Sequence, residues 1–568
     1  MINRTMNRRM DLPEISLSDI RDRIVSRNTL KSYLVDNFYF ILWCFDNLPE
    51  VLTVHGVGNV AEYRSHCPFG ATMQVLFREN KQSFIEHLRE AEVNAIINLE
   101  VLTPRMFMDY VRQLRNLRNG TYLSRSAYGN RRAGLFHLYR LHNNVGFDPV
   151  FSQELTLLYR GFFSNLTGMV GESQLVVDAD NAEANDGIVE RPNRINFNGW
   201  QWNSDESKRP MSVDLLKSIC GWLLERGTPD AVWTQCYLLM AWNLCCRSNN
   251  VAYLKMSDIN WASSFDSFCV HFAHSKTDQT GKESRYPRHI YANPTCVQVC
   301  AVTSLAFYFT CCFNIDRVSD CSLLFPGDKQ ESRFAKNLFA VLVEHEPEVR
   351  AMGFELGQIG SHSIRKGAAT YLTSLVGGPP AAAISIRGGW TMGNVKERYF
   401  KYMEAGDQFV GRCLSLLPML TEEMAPSPPF FDVPPDTPDD VWVTDTVSKQ
   451  FPVSSLIVGF GRLSRMCAAS MLHHRNWVFA NFNPNHCVII CSHVYRDKSV
   501  YNFLTMDGDN KVKVTYPWND NRHVFTGVAP HVALLQDLHM IRTDQQYLID
   551  SFVDKVKIAL SEYGVGSD

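Results

Sequence analysis

The chain has 568 residues, 45% of them hydrophobic and 20% charged, with a formal net charge of −3. This is the composition of an ordinary soluble protein, with room for about two to four domains that each bury a core. No stretch of about 18 apolar residues lacks polar interruption, and the opening MINRTMNRRMDLPEISLSD has no apolar run that could serve as a secretion signal, so an intracellular protein with no membrane partner is expected.

The net charge says little about what the domains bind. Residues 1–170 carry 20 Lys plus Arg against 16 Asp plus Glu, and residues 201–418 carry 22 against 20. The acidity is concentrated in GESQLVVDADNAEANDGIVE (171–190) and TEEMAPSPPFFDVPPDTPDD (421–440), each with six acids, the second with six prolines as well. Such stretches bury little, and they predict an acidic linker over 171–194 and a Pro-rich acidic linker over 421–444.

Three blocks remain. Residues 1–170, with long amphipathic patterns such as SLSDIRDRIVSRNTLKSYLVDNFYFILW, predict a helical domain. Within it, residues 105–142 hold eight arginines and one acid with interleaved tyrosines. Arg112, Arg115, Arg118, Arg125, Arg131 and Arg132 are therefore candidate phosphate contacts, the alternative being a solvated helix face. Residues 195–420 predict a mainly helical block with a small antiparallel sheet. There FCVHFAH alternates with period two, SKTDQTGKE supplies turn residues, and SRYPRHIYA returns. Residues 445–568 predict a further, mainly helical region. Its last stretch sets Leu534, Leu538, Ile541, Leu548 and Phe552 at three- and four-residue steps, as in a helix that docks on the body or pairs with a second copy.

Sixteen cysteines are scattered without a CxxC, and several (Cys236, Cys245, Cys246, Cys311, Cys312) sit in apolar runs, as small buried hydrophobes do in a reducing compartment. In NHCVIICSHVY, His486, Cys487, Cys491 and His493 are the nearest approach to a metal box. The same spacing fits an apolar strand, and no metal is expected.

Three stretches could carry chemistry. In AVWTQCYLLMAWNLCCRSNNVAYLKM (231–256) a long apolar helix ends in Arg247. A guanidinium is costly to bury there unless an anion meets it, whereas one facing water at a helix C-terminus is ordinary. In GSHSIRKGAATYLTSLV (360–376), Ser361 is a candidate N-cap and His362 and Arg365 follow it, while Ile364, Ala368, Tyr371 and Leu375 form a core stripe turned away from His362. A helix N-terminus flanked by a histidine and an arginine suits a phosphate; the alternative is a capped surface helix with two incidental basic residues. In RGGWTMGNVKERYFKY (387–402), Val395, Tyr399 and Tyr402 share one helix face, which by itself is a core pattern.

Taken in chain order, Arg247, a hairpin carrying Lys276, His362-x-x-Arg365, GGW ending at Trp390, and Tyr399 nine residues later resemble the catalytic signature of the tyrosine recombinase (phage integrase) family. GSHSIRKGAATYL and GGWTMGNVKERY are most similar to eukaryotic Crypton-type recombinases of mobile elements. The resemblance covers roughly residues 205–415 and extends loosely to the N-terminal block, where the family has its DNA-clamping core-binding domain. It implies site-specific cutting and rejoining of double-stranded DNA through a 3′-phosphotyrosyl intermediate, without cofactor, metal or ATP. Tyr399 would be the nucleophile, with Tyr402 the runner-up and more a packing residue. Arg247 and Arg365 would hold the non-bridging oxygens, Lys276 would protonate the leaving 5′-oxygen, His362 would assist proton transfer, and Trp390 would brace the phosphate. It also implies a C-shaped clamp, a tetramer on paired sites and, in a eukaryotic host, a nuclear location. One position departs from the family: where an acid commonly follows the first arginine by three residues, this chain has Asn250. That departure and the extra C-terminal region fit an alternative, a domesticated recombinase fold that binds DNA without cleaving it.

Overall fold

The computed structural model describes residues 27–53, 97–98, 100–115, 122–123, 125–143, 148–184, 195–197, 200–202, 208–262, 265–272, 286–312, 322–390, 392, 400–452, 459–505, 511–520 and 522–562. The fold is mainly α-helical with small antiparallel sheets, as the patterning predicted, and it divides into two compact units, Met1–Glu206 and Ser207–Asp568.

In the first unit, α1 (Arg27–Asn47) packs on α3 (Arg125–Asn143), and α2 (Pro104–Gln113) packs on α4 (Pro149–Ala184). α2 begins where the sequence can start a helix: the Thr103 hydroxyl accepts from the Met106 N–H, and Pro104 occupies the first turn. Aromatic rings fill the core, with Phe40 against Phe107 and Tyr110, and Tyr128 against Phe162. α4 runs through 171–184, the first part of the expected acidic linker; residues 185–194 lie outside the described set. A short hairpin, β1 (Ile195–Phe197) with β2 (Trp200–Trp202), follows and belongs to this unit rather than to the second.

The second unit is built around α6 (Pro229–Asn243), in which every residue from Ala231 to Asn243 is buried. A helix apolar all round has no solvent face and must be wrapped. α5 (Val213–Glu225), α7 (Ser248–Ala252), α8 (Ala301–Cys311), α9 (Gln330–Glu344) and α10 (Ser361–Ser374) surround it. The expected hairpin forms as β4 (Ser267–Val270) and β5 (Arg288–Tyr291), pairing Ser267 with Tyr291 and Val270 with Arg288, and β3 (Ile259–Trp261) adds a third antiparallel strand. Its turn, with Lys276, lies outside the described residues. α11 (Ala381–Gly388) and α12 (Glu404–Leu414) close this part, α12 lying on β5.

The structure departs from the linker expected at 421–444. Met424, Phe430 and Phe431 are buried in the common core, β6 (Phe430–Phe431) pairs with β7 (Val512–Lys513), and α13 (Pro438–Gln450) starts at a Thr437 cap. Three of its six acids are matched by later bases: Asp432 by Lys513 and Arg522, Asp439 by Lys511, and Asp440 by Arg465. The region expected as a separate block over 445–568 therefore shares the core of the second unit. α14 (Phe460–His473) packs on α8, with the Thr303 and Ser470 hydroxyls 2.7 Å apart in its buried face. The chain ends in α15 (Pro530–Glu562).

Candidate active site

Arg247 stands at the end of a wrapped helix. After α6, the turn Leu244–Cys245–Cys246 is buried, and Cys245 sits at φ 47°, a left-handed conformation that costs an L-residue roughly 1–2 kcal/mol. The Cys245 thiol lies 3.9 Å from the Arg365 carbonyl and ties this turn to α10. Arg247 then caps α7, where its carbonyl accepts from the Asn250 N–H at 2.9 Å.

Arg365 is buried on α10, one turn after the helix start. One guanidinium nitrogen donates to the Gly388 carbonyl at the end of α11, and the Trp390 ring covers the cation at 4.8 Å. The glycine pair before Trp390 makes this possible. A Cβ at Gly388 would lie 2.7 Å from the Trp390 ring, and Gly389, at φ 63°, turns the chain back so that the Trp390 N–H reaches the Ser385 carbonyl. Burial and the charge of Arg247 both lower the Arg365 pKa, and among the described residues no carboxylate offsets this. Among the described residues, neither arginine has a carboxylate within salt-bridge distance. Two cations close enough to feel one another, with no described acid beside them, suit an anion.

His362 is exposed in the first turn of the same helix. The N-cap differs from expectation: it is Gly360, whose N–H donates to the Ser363 hydroxyl at 3.1 Å, and Ser361 is already helical. Gly360 is extended and Ser363 lies two positions beyond Ser361, so the capping oxygen comes from within the first turn. α10 is seated by Gly367, where a Cβ would lie 2.2 Å from the Met211 carbonyl.

Behind the two arginines is a polar layer that the sequence did not reveal. Arg387 donates twice to Asp407 at 2.7 Å and also to the carbonyls of Asn243 and His289, while Arg288 donates to the Ile386 carbonyl. His289 gives its N–H to Asp407 and holds its ring 3.0 Å from the same carboxylate. Burial alone would push Asp407 up, but Arg387, His289 and Arg288 reverse this and hold its carboxyl well below the usual range. Burial raises the Cys245 thiol to about 11 against the lowering fields of Arg365, Arg387 and Arg288, which places it among three cations. Of this layer, only Arg387 lay in a stretch quoted for its chemistry. Nothing in single-residue spacing links it to an aspartate 20 positions later.

Tyr399 and Lys276 lie outside the described residues. Tyr402 does not continue the helix expected to carry Val395 and Tyr399, since Phe400–Met403 is irregular. Its hydroxyl donates to the Pro287 carbonyl at 2.9 Å, its ring stacks on Tyr286 with centroids 4.4 Å apart, and burial followed by Asp407 pushes its pKa up. That is the setting of a packing tyrosine. Phe400 and Tyr402 also line a cavity of about 320 Å³ with Pro380, Ala383 and Ile386.

The candidate phosphate contacts of the first unit separate. Arg112 is exposed and pairs with Asp109 at 3.1 Å. Arg131 is a correction: it forms a largely buried ion pair with Asp36, and burial lowers its pKa. Arg115 is folded back on the carbonyls of Arg112 and Leu114 and lies 3.9 Å over the Tyr122 ring, while Arg132 donates to the Thr156 hydroxyl at 2.7 Å. One-sided charge in the sequence thus conceals interior roles, because Asp36 is nearly 100 positions away. Arg118 and the Arg125 side chain lie outside the described set.

In the C-terminal region, His486 commits both ring nitrogens within the chain, to the Leu224 carbonyl and the Val488 N–H. Cys487–Cys491 is a short helix, not a strand, and no group of His, Cys, Asp or Glu among the described residues is arranged to hold a metal ion. No helix among them is long and apolar enough to cross a membrane.

No known family profile and no curated protein match the chain. Among solved structures it is similar to the XerH site-specific recombinase bound to its difH substrate in a pre-cleavage complex. The identity is 11% and the TM-score 0.29, with 67% of this chain and 95% of that one covered.

Proposed function

We propose that the protein is a tyrosine-type, site-specific DNA recombinase of a mobile element. The observation that carries this reading is Arg247 and Arg365, without an acid beside them among the described residues, the second clamped on Gly388 and covered by Trp390, with exposed His362 on the same helix. Two guanidiniums that lack an acid suit the two non-bridging oxygens of one phosphodiester and the charge that grows on them during attack. Phe400, the residue after the proposed nucleophile, lines a cavity with α11, the helix whose end holds Arg365.

In this scheme the Tyr399 oxygen forms a bond to phosphorus as the bond to the 5′-oxygen breaks. The phenolic proton leaves with the help of His362, and Lys276 supplies a proton to the departing 5′-oxygen. Attack by another strand's 5′-hydroxyl reverses the step, and bond energy is conserved in the phosphotyrosyl link. Exposed arginines of the first unit such as Arg112 supply phosphate contacts, a tetramer assembles on paired sites, and in a eukaryotic host the DNA substrate places the protein in the nucleus.

The test is capture of a covalent adduct from a pool of duplex DNA, read on a denaturing gel. Wild type forms the adduct, whereas Tyr399→Phe and Arg365→Ala do not. Adduct lost in Tyr402→Phe but kept in Tyr399→Phe overturns the nucleophile assignment. Salt-sensitive DNA binding without any adduct establishes the non-cleaving alternative that Asn250 suggests.

A further inference from the structure

The last helix is anchored at its start. The His531 ring contacts the Met419 carbonyl at 2.8 Å and Val532 is fully buried, but from Leu534 onward apolar side chains face solvent. Leu534, Leu538, Ile541, Leu548, Phe552 and Val556 are between 39% and 67% exposed. At 100° per residue these six fall within an arc of about 80°, while the exposed Met540, Tyr547, Val553 and Ile558 lie off it. The steps are four, three, seven, four and four, with Gln545 filling the seven-residue step. This is the alternation of a left-handed coiled coil over residues 534–552, somewhat under three heptads, with Lys555 at the next core position and the seam shifting by one residue to Val556.

We propose that α15 pairs with α15 of a second copy of this chain as a parallel, in-register coiled coil. The spacing calls for another helix with the same seam. A lipid surface fits poorly, because residues 534–559 carry four acids against three Lys or Arg, without the basic polar face that such binding uses. Charge complementarity selects the second copy and its direction. With Leu538 and Ile541 as core layers, Asp537 and Arg542 occupy the two flanking positions that meet across a parallel dimer, so each helix offers both halves of two symmetric ion pairs. An antiparallel arrangement separates these partners. Gln545 then faces its own copy, a polar layer of the kind that pins register at some cost in stability. The inference does not depend on the enzymatic reading.

Sedimentation equilibrium of the full chain tests it. Wild type has twice the chain mass of 64.8 kDa, and Leu548→Asp sediments as a monomer with an unchanged thermal transition of the body. Arg542→Asp weakens the dimer at least tenfold, and combining it with Asp537→Arg restores it. Gln545→Cys gives an oxidant-dependent dimer on a non-reducing gel that wild type does not give. A monomer at all concentrations, or a dimer indifferent to Leu548→Asp, overturns the pairing. Failure of Gln545→Cys to cross-link in a confirmed dimer overturns the parallel register.

Discussion

Burial first, and then the field of Arg247, disfavour the charged form of Arg365 in the free protein. Arg247→Ala should leave the fold intact or raise its stability by on the order of 0.5 kcal/mol, since partial exposure screens the repulsion. It should also abolish both the covalent adduct and any rise in melting temperature on adding DNA, measured by differential scanning fluorimetry. A loss of stability in that variant would show that the arginine packs rather than waits for an anion. Asp407 works in the other direction. Its folded pKa is depressed, so its contribution is fully present above the unfolded carboxylate value of about 3.9 and drains away as pH falls below it. The melting temperature of wild type should therefore drop below about pH 4. Asp407→Asn, which leaves Arg387 and Arg288 buried beside an uncharged amide, should be destabilised by about 3–5 kcal/mol at neutral pH and show a flatter acid slope.

At the scale of elements, α11 and its Gly388–Gly389 exit set the position of Trp390 over Arg365. Gly388→Ala places a methyl where the indole ring now lies, and the ring must move or the helix end must shift. The expected cost is about 1–3 kcal/mol, accompanied by a change in tryptophan fluorescence and loss of adduct formation. α6 was legible in sequence as a long apolar run, and α10 from the core stripe of Ile364 and Ala368, although its cap is Gly360 rather than Ser361. The polar layer of Arg387, Asp407, His289 and Arg288 was not, because its members come from a strand and two helices with no shared spacing. The same blindness misassigned Arg131, whose partner Asp36 lies on a different helix.

Across the whole second unit, the late chain completes the early one. Arg412 and Asp266 form a fully buried ion pair, and Thr526 bonds to both: its carbonyl accepts from the Arg412 Nε and its N–H donates to Asp266 at 2.6 Å. A chain stopped at residue 420 removes Thr526 and uncovers the face of α8 that packs on α14, so it should be insoluble or partly unfolded, as judged by circular dichroism and proteolysis. A stable, soluble 207–420 fragment would show instead that the C-terminal region is dispensable. In the full chain, Asp266→Ala should cost about 3–5 kcal/mol, because it leaves Arg412 buried without a counter-charge.

Local pattern alone determined the mainly helical class, the hairpin of β4 and β5, the amphipathic terminal helix and the chain order of the candidate catalytic side chains, since each depends on periodicity or spacing within a few turns. Only the tertiary structure decided that residues 424–431 of the Pro-rich acidic stretch are interior, that Arg131 pairs with Asp36, and that Arg365 lies in the field of Arg247 with no described acid beside it. These outcomes depend on which distant residue neutralises or covers a group, and one-dimensional composition counts charges without saying which of them touch.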